Sequence, residues 1–132
     1  MTRPQRVLIT GGASGIGLVL AERFLKRGDQ VALCDSDTVA MDTLNERLPE
    51  VITWEADVAD EAAMAGFLDH IEALWDRVDV VCSNAGSSGP AGLIENLDYA
   101  AWQSCIRVNL HGAFLTCRWA ARIMRAQGSG LI

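Results

Sequence analysis

One loop constrains this chain more than any other feature. Thr10-Gly-Gly-Ala-Ser-Gly-Ile-Gly17 holds four glycines in eight residues. It lies between the apolar run 6–10, of β-strand type, and residues 15–27, where Ile16, Leu20 and Phe24 recur on one helical face and Gly28 offers a stop. A strand that turns through glycine into a helix aims that helix's free N–H groups outward. Those amides and the helix dipole favour an anion, typically a phosphate. Gly11 permits the turn, Gly15 lets a pyrophosphate approach with no Cβ in the way, and Gly17 lets the helix pack closely on the sheet. Gly12 and Gly17 have the spacing of a nucleoside-triphosphate loop, but Leu18 and Val19 replace its Lys and Ser/Thr. The common Gly-x-Gly-x-x-Gly pattern is also missed, since Leu20 follows Gly15 and Gly17.

The rest of the chain alternates strand and helix. Gln30–Asp35 reads as a second strand, and Asp37 can cap a helix to about Leu48 with Ala40, Leu44 and Leu48 in line. A third strand covers 51–56. Asp60 can cap a helix that turns Met64, Phe67, Leu68, Ile71 and Leu74 inward. A fourth strand covers 78–83, and 87–92 is the most loop-like stretch. Residues 98–127 read as helix, with a stripe of Leu110, Ala113, Phe114, Cys117, Ala121 and Met124; Trp119, Arg118 and Arg122 lie off it, free for an interface. Gly128 and Gly130 break that helix, and Leu131-Ile132 opens a fifth strand. Continuous apolar strands joined by helices predict an α/β fold with a parallel sheet covered on both faces, in a single domain over 1–132.

Asp35 ends the second strand, eighteen residues after Gly17. An acid there accepts hydrogen bonds from both adenosine ribose hydroxyls and repels a 2′-phosphate. Ser14 supplies no cation to neutralise one, so NAD is expected over NADP. The competing reading has Asp35 begin a turn and cap the next helix, a place for which Asp37 is better positioned.

Lys plus Arg total 11 against 17 Asp plus Glu, a net charge of −6, which argues against a reader of nucleic acid backbones. The uncharged runs 7–21 and 80–94 are too short to span a membrane. The four cysteines form no Cys-x-x-Cys. They read as buried free thiols in a reducing, cytoplasmic setting. His70 and His111 stand alone and are expected not to bind metal, and the four tryptophans read as packing groups.

Thr10-Gly-x-x-x-Gly-Ile-Gly17 resembles the cofactor signature of the short-chain dehydrogenase/reductase family. Three further motifs follow in the family's order. Asp57-Val58 resembles the pair that contacts the adenine ring. Asn84-Ala85-Gly86 resembles the motif that stabilises the central sheet and lines the cofactor cleft. Val108-Asn109 resembles the position of the catalytic Asn, which sits at a local helix distortion. Taken singly, Asp57, Asn84 and Asn109 are also ordinary turn, loop and helix-irregularity residues.

The resemblance implies a Rossmann-like doubly wound parallel sheet, order 3-2-1-4-5. It implies NAD contacts at Thr10, Gly11, Ser14, Gly15, Ile16, Gly17, Asp35, Asp57, Val58, Asn84, Ala85 and Gly86, with Asn109 catalytic. It further implies hydride transfer on a small-molecule alcohol or carbonyl substrate, and a homo-oligomer, dimer or tetramer, built through the long helix. The family's Ser and Tyr-x-x-x-Lys have no counterpart: Tyr99 has Gln103 four residues on, and Lys26 is the only lysine. The chain therefore resembles the N-terminal half of such an enzyme, cut within its fifth strand, and is expected not to turn over alone. A non-catalytic NAD-binding module is the alternative; a flavodoxin-like or receiver-type protein fits the motifs less well.

Overall fold

In the computed structural model, which describes residues 3–132, the run Arg6–Thr10 forms strand β1 in the interior of a parallel sheet. β2 (Gln30–Asp35) and β3 (Ile52–Glu55) lie on one side of it and β4 (Val80–Cys82) on the other, giving the order β3-β2-β1-β4. Leu131 adds one parallel bridge to Val80, with its N–H on the Asp79 carbonyl and its carbonyl accepting from Val81 N. That bridge lies on the side of β4 away from β1, where the order 3-2-1-4-5 places a fifth strand.

Helices α1 (Gly15–Lys26), α2 (Thr38–Arg47), α3 (Glu61–Leu74), α4 (Tyr99–Ile106) and α5 (Gly112–Gln127) join and cover the strands. Asp37, Asp60 and Asp98 cap α2, α3 and α4 by accepting from the amides of Ala40, Ala63 and Ala101. Alternate strand residues point to opposite faces. Val7, Ile9, Val31 and Leu33 pack with Ala21, Met41 and Leu44, while Leu8, Ala32, Cys34 and Val81 pack with Phe67, Ile71, Trp119 and Ala120. Burial on both faces explains why the strands are apolar without alternation.

Several inward faces differ from the sequence expectation. Ile16 is 74% exposed, because α1 meets the sheet through the small residues Gly17 and Ala21 one step round the helix. Leu74 is exposed as well, since α3 ends there and Trp75 takes the buried position. The larger change is in the long helix, which the π turn Arg107–His111 divides into α4 and α5. A π turn adds a residue to the helical repeat and rotates everything beyond it. α5 accordingly buries Gly112, Thr116, Trp119, Ala120 and Met124, whereas Leu110 and Phe114 of the expected stripe are about 60% exposed. Thr116 hides within this buried line because its hydroxyl donates to the Gly112 carbonyl. Trp119, expected at an interface, donates instead to Glu72 of α3 and is buried.

Of the four free cysteines, only Cys34 is buried and the other three are half-buried. Among the tryptophans, Trp75 and Trp119 are core residues, Trp54 lies tilted against His70, and Trp102 lies exposed, stacked on Tyr99. Packing does not account for Trp102, which sits on α4 away from both core clusters.

Candidate functional site

The site begins where the ladder between β1 and β2 ends. Past the Thr10–Cys34 pair, Gly11 N and Gly12 N both donate to the Cys34 carbonyl, at 2.8 and 3.2 Å. Ala13 N donates to Asp35 Oδ2 at 3.0 Å. The loop thus lies back along the end of β2 before α1 starts. Ser14 makes no side-chain cap on α1, so the helix opens with amides that have no partner in its own first turn.

Gly17 holds the closest approach. A Cβ there would collide with the Gly11 carbonyl oxygen and stand 2.8 Å from Asn84 Nδ2. Gly15 is the opposite case: its φ is +54°, and a Cβ would meet nothing within 4 Å because the space above it is open. β4 is tied to the same loop. Asn84 Nδ2 donates to the Thr10 and Gly11 carbonyls, and the buried Thr10 hydroxyl accepts from the amides of Asn84 and Ala85.

These contacts frame a cleft of about 390 Å³ at the C-terminal ends of the strands. Open α/β sheets place ligands at this end. Gly11, Ser14, Ile16, Asp35, Asp57, Val58, Asn84, Ala85 and Gly86 line it, as do Ser36, Ala56 and Val108, which the sequence reading did not assign to the site. Ser36 and Ala56 each sit where a strand run gives way to a loop, and Val108 adjoins Asn109, so position relative to strand ends and motifs was the available signal. Among the described residues, Asp35 and Asp57 are the only charged ones that line the cleft, and no basic side chain does. Asp35 Oδ1 accepts from Asp37 N, so its carboxylate ties the turn into α2 as well as the glycine loop. Asp57 Oδ1 accepts from Ala59 N and turns the chain toward the cap of α3.

Thr10, Gly15, Gly17 and Asn109 do not line the cleft. Asn109 stands in the π turn, where its Oδ1 accepts from Ser87 N and its Nδ2 donates to the carbonyls of Ser87 (2.8 Å) and Cys105 (2.9 Å). It therefore clamps the loop following Gly86 to the helix; a Cβ on Gly86 would lie 2.7 Å from Asn109 Oδ1. Beneath the loop, burial pushes the Cys34 thiol up to about 12, against the lowering hydrogen bond from Gly11. It is a packing group, not a nucleophile. Among the described residues, no three His, Cys, Asp or Glu side chains gather to hold a metal ion, and no helix is long and apolar enough to cross a membrane.

A parallel sheet whose first strand runs through this loop into α1, with a cleft at the strand ends, defines a Rossmann-like nucleotide-binding fold. The chain belongs to the short chain dehydrogenase family, which it matches over residues 5–132. It is 37% identical over 125 residues to the short chain dehydrogenase/reductase dpmpG of Macrophomina phaseolina, covering 91% of this chain and 71% of that protein. Levodione reductase of Leifsonia aquatica is 34% identical over 132 residues, covering 96% of this chain and 49% of the reductase. Among solved structures, an NAD⁺-bound xylitol dehydrogenase superposes with a TM-score of 0.88 at 26% identity, over 96% of this chain and 51% of that one. A gluconate 5-dehydrogenase from Burkholderia cenocepacia in complex with NADP and tartrate superposes with a TM-score of 0.84 at 30% identity, also over 96% and 51%. The chain spans about half the length of three of these four proteins.

Proposed function

We propose that this chain forms the NAD-binding part of an oxidoreductase that moves a hydride between the nicotinamide and a small-molecule alcohol or ketone. One observation carries the reading: the Asp35 carboxylate and the uncapped N-terminus of α1 share a cleft that, among the described residues, no basic side chain lines. That combination suits a diphosphate beside a free ribose diol and disfavours a 2′-phosphate. The open space above Gly15 fits a phosphate brought close to backbone.

The dinucleotide, when bound, supplies the hydride chemistry. The chain's residues then divide the work of holding it. The amides around Ser14, Gly15 and Ile16 face the diphosphate, with Gly11 and Gly17 shaping the loop behind them. Asp35 accepts from the ribose hydroxyls. Asp57 and Val58 border the adenine end, and Asn84, Ala85 and Gly86 form the floor that Thr10 fixes from below. Asn109 holds the loop after Gly86 against the helix, next to where reaction takes place. Exposed Leu110 and Phe114 support a homo-oligomer built through α5, and four free cysteines support a reducing, cytoplasmic compartment.

Calorimetric titration of the purified protein with NAD and NADP tests the assignment. NAD is expected to bind at least about tenfold more tightly, a difference of about 1.4 kcal/mol, and Asp35→Ala is expected to shrink that ratio. Equal affinities in the unaltered protein would refute the NAD preference.

A further inference from the structure

We infer that Asp35 is also a positioning residue for the phosphate-facing loop, holding it through the Ala13 amide before any ligand arrives. The inference rests on the nucleotide reading above and deepens it: ribose recognition and the diphosphate seat share one carboxylate.

Gly11 N and Gly12 N are satisfied by the Cys34 carbonyl, the last acceptor that β2 offers toward β1. Ala13 is the next donor along the loop, and it is buried, 5% exposed. A buried amide without a partner is strongly disfavoured. Asp35 Oδ2 supplies that partner at 3.0 Å, twenty-two residues away in sequence. Asp35 is itself held at both side chain and backbone, since Oδ1 accepts from Asp37 N and the Asp35 carbonyl accepts from Ala56 N at 3.0 Å. The loop is thus pinned to β2 by three successive amides, and the next ones, at the start of α1, stay free for an anion. A carboxylate has about four lone-pair positions. Two are taken by Ala13 and Asp37, so ribose hydroxyls can bond to Asp35 without releasing the loop.

This role has a consequence of opposite sign to the simpler one. If Asp35 served only the ribose, its negative charge would merely repel a bare diphosphate, and removing it would leave pyrophosphate binding unchanged or tighter. If Asp35 positions the loop, removing it weakens pyrophosphate, although that probe has no ribose.

The test measures two quantities on the purified protein, Asp35→Ala and Asp35→Asn. One is hydrogen exchange at the Ala13 amide without ligand; the other is affinity for inorganic pyrophosphate. In Asp35→Ala, Ala13 is expected to exchange about tenfold faster or more, and pyrophosphate to bind about tenfold more weakly. Asp35→Asn keeps one acceptor oxygen and is expected to fall between; it carries the test if the alanine variant does not fold. Unchanged Ala13 exchange, or pyrophosphate bound as tightly as before, would overturn the positioning role. If the unaltered protein binds neither pyrophosphate nor NAD, the proposed function fails, and the exchange measurement still decides the role of Asp35.

Discussion

The Asn84 side-chain amide donates to the Thr10 carbonyl, and the Thr10 hydroxyl accepts from the Asn84 backbone amide, at 3.1 and 3.0 Å. This double contact lies just beyond the last ladder pair of β1 and β4, Ile9 with Cys82, Thr10 one residue on and Asn84 two. Backbone pairing has ended there, so side chains hold the two strand ends together and fix the floor of the cleft.

Removing that stitch should therefore be felt in stability. Asn84→Ala leaves the buried Thr10 carbonyl without its side-chain donor and is expected to lose about 1–3 kcal/mol. Urea unfolding measures it, and a loss below about 0.5 kcal/mol, the usual range for surface substitutions, would show that the pair is incidental.

The two loop glycines should respond differently to alanine. At Gly17 the new Cβ meets the Gly11 carbonyl and Asn84 Nδ2, so backbone has to move, at a cost of about 1–3 kcal/mol or more. At Gly15 it meets nothing, and only the left-handed φ is penalised, by about 1–2 kcal/mol. Gly17→Ala should thus have the lower urea midpoint and lose nucleotide binding through a displaced loop. The reverse order of midpoints would contradict the packing described.

Asp79 makes stability depend on acid pH. Burial pushes its carboxyl up, but the Arg6 amide and the guanidinium groups of Arg77 and Arg3 outweigh that and hold it below the usual carboxylate range. A folded-state pKa below the unfolded one means the stabilisation is complete above about pH 4. It is lost as pH falls through the lower, folded value. Wild-type stability should fall more steeply below that point than that of Asp79→Asn, which lacks this titration. Urea unfolding at stepped pH compares them, and parallel curves would remove Asp79 from the account.

Thiol reactivity should follow burial. Cys34 is fully buried with its thiol pushed up to about 12, and burial also raises the Cys82 thiol. Cys105 and Cys117 are half-buried on the helices. Iodoacetamide at pH 8 should label Cys105 and Cys117 first and Cys34 last, read by peptide mass spectrometry. Early labelling of Cys34 would mean that β2 opens beneath the loop.

The order of the elements, the capping aspartates and the glycine loop were all legible in the sequence, because each depends on interactions within a few residues. Asp37 and Asp60 cap helices through amides three positions on, and glycine's freedom at φ > 0 is a property of the residue itself. Which faces are buried was decided only by the tertiary structure. The π turn at Arg107–His111 sets the phase of α5, so that Thr116, Trp119 and Ala120 face the core while Phe114 and Ala121 of the apolar stripe face out. The double duty of Asp35 was equally invisible, because the Ala13 amide reaches it only once β1 and β2 lie side by side. Periodicity records what a residue does within its own element; what it meets across the sheet depends on how the elements pack.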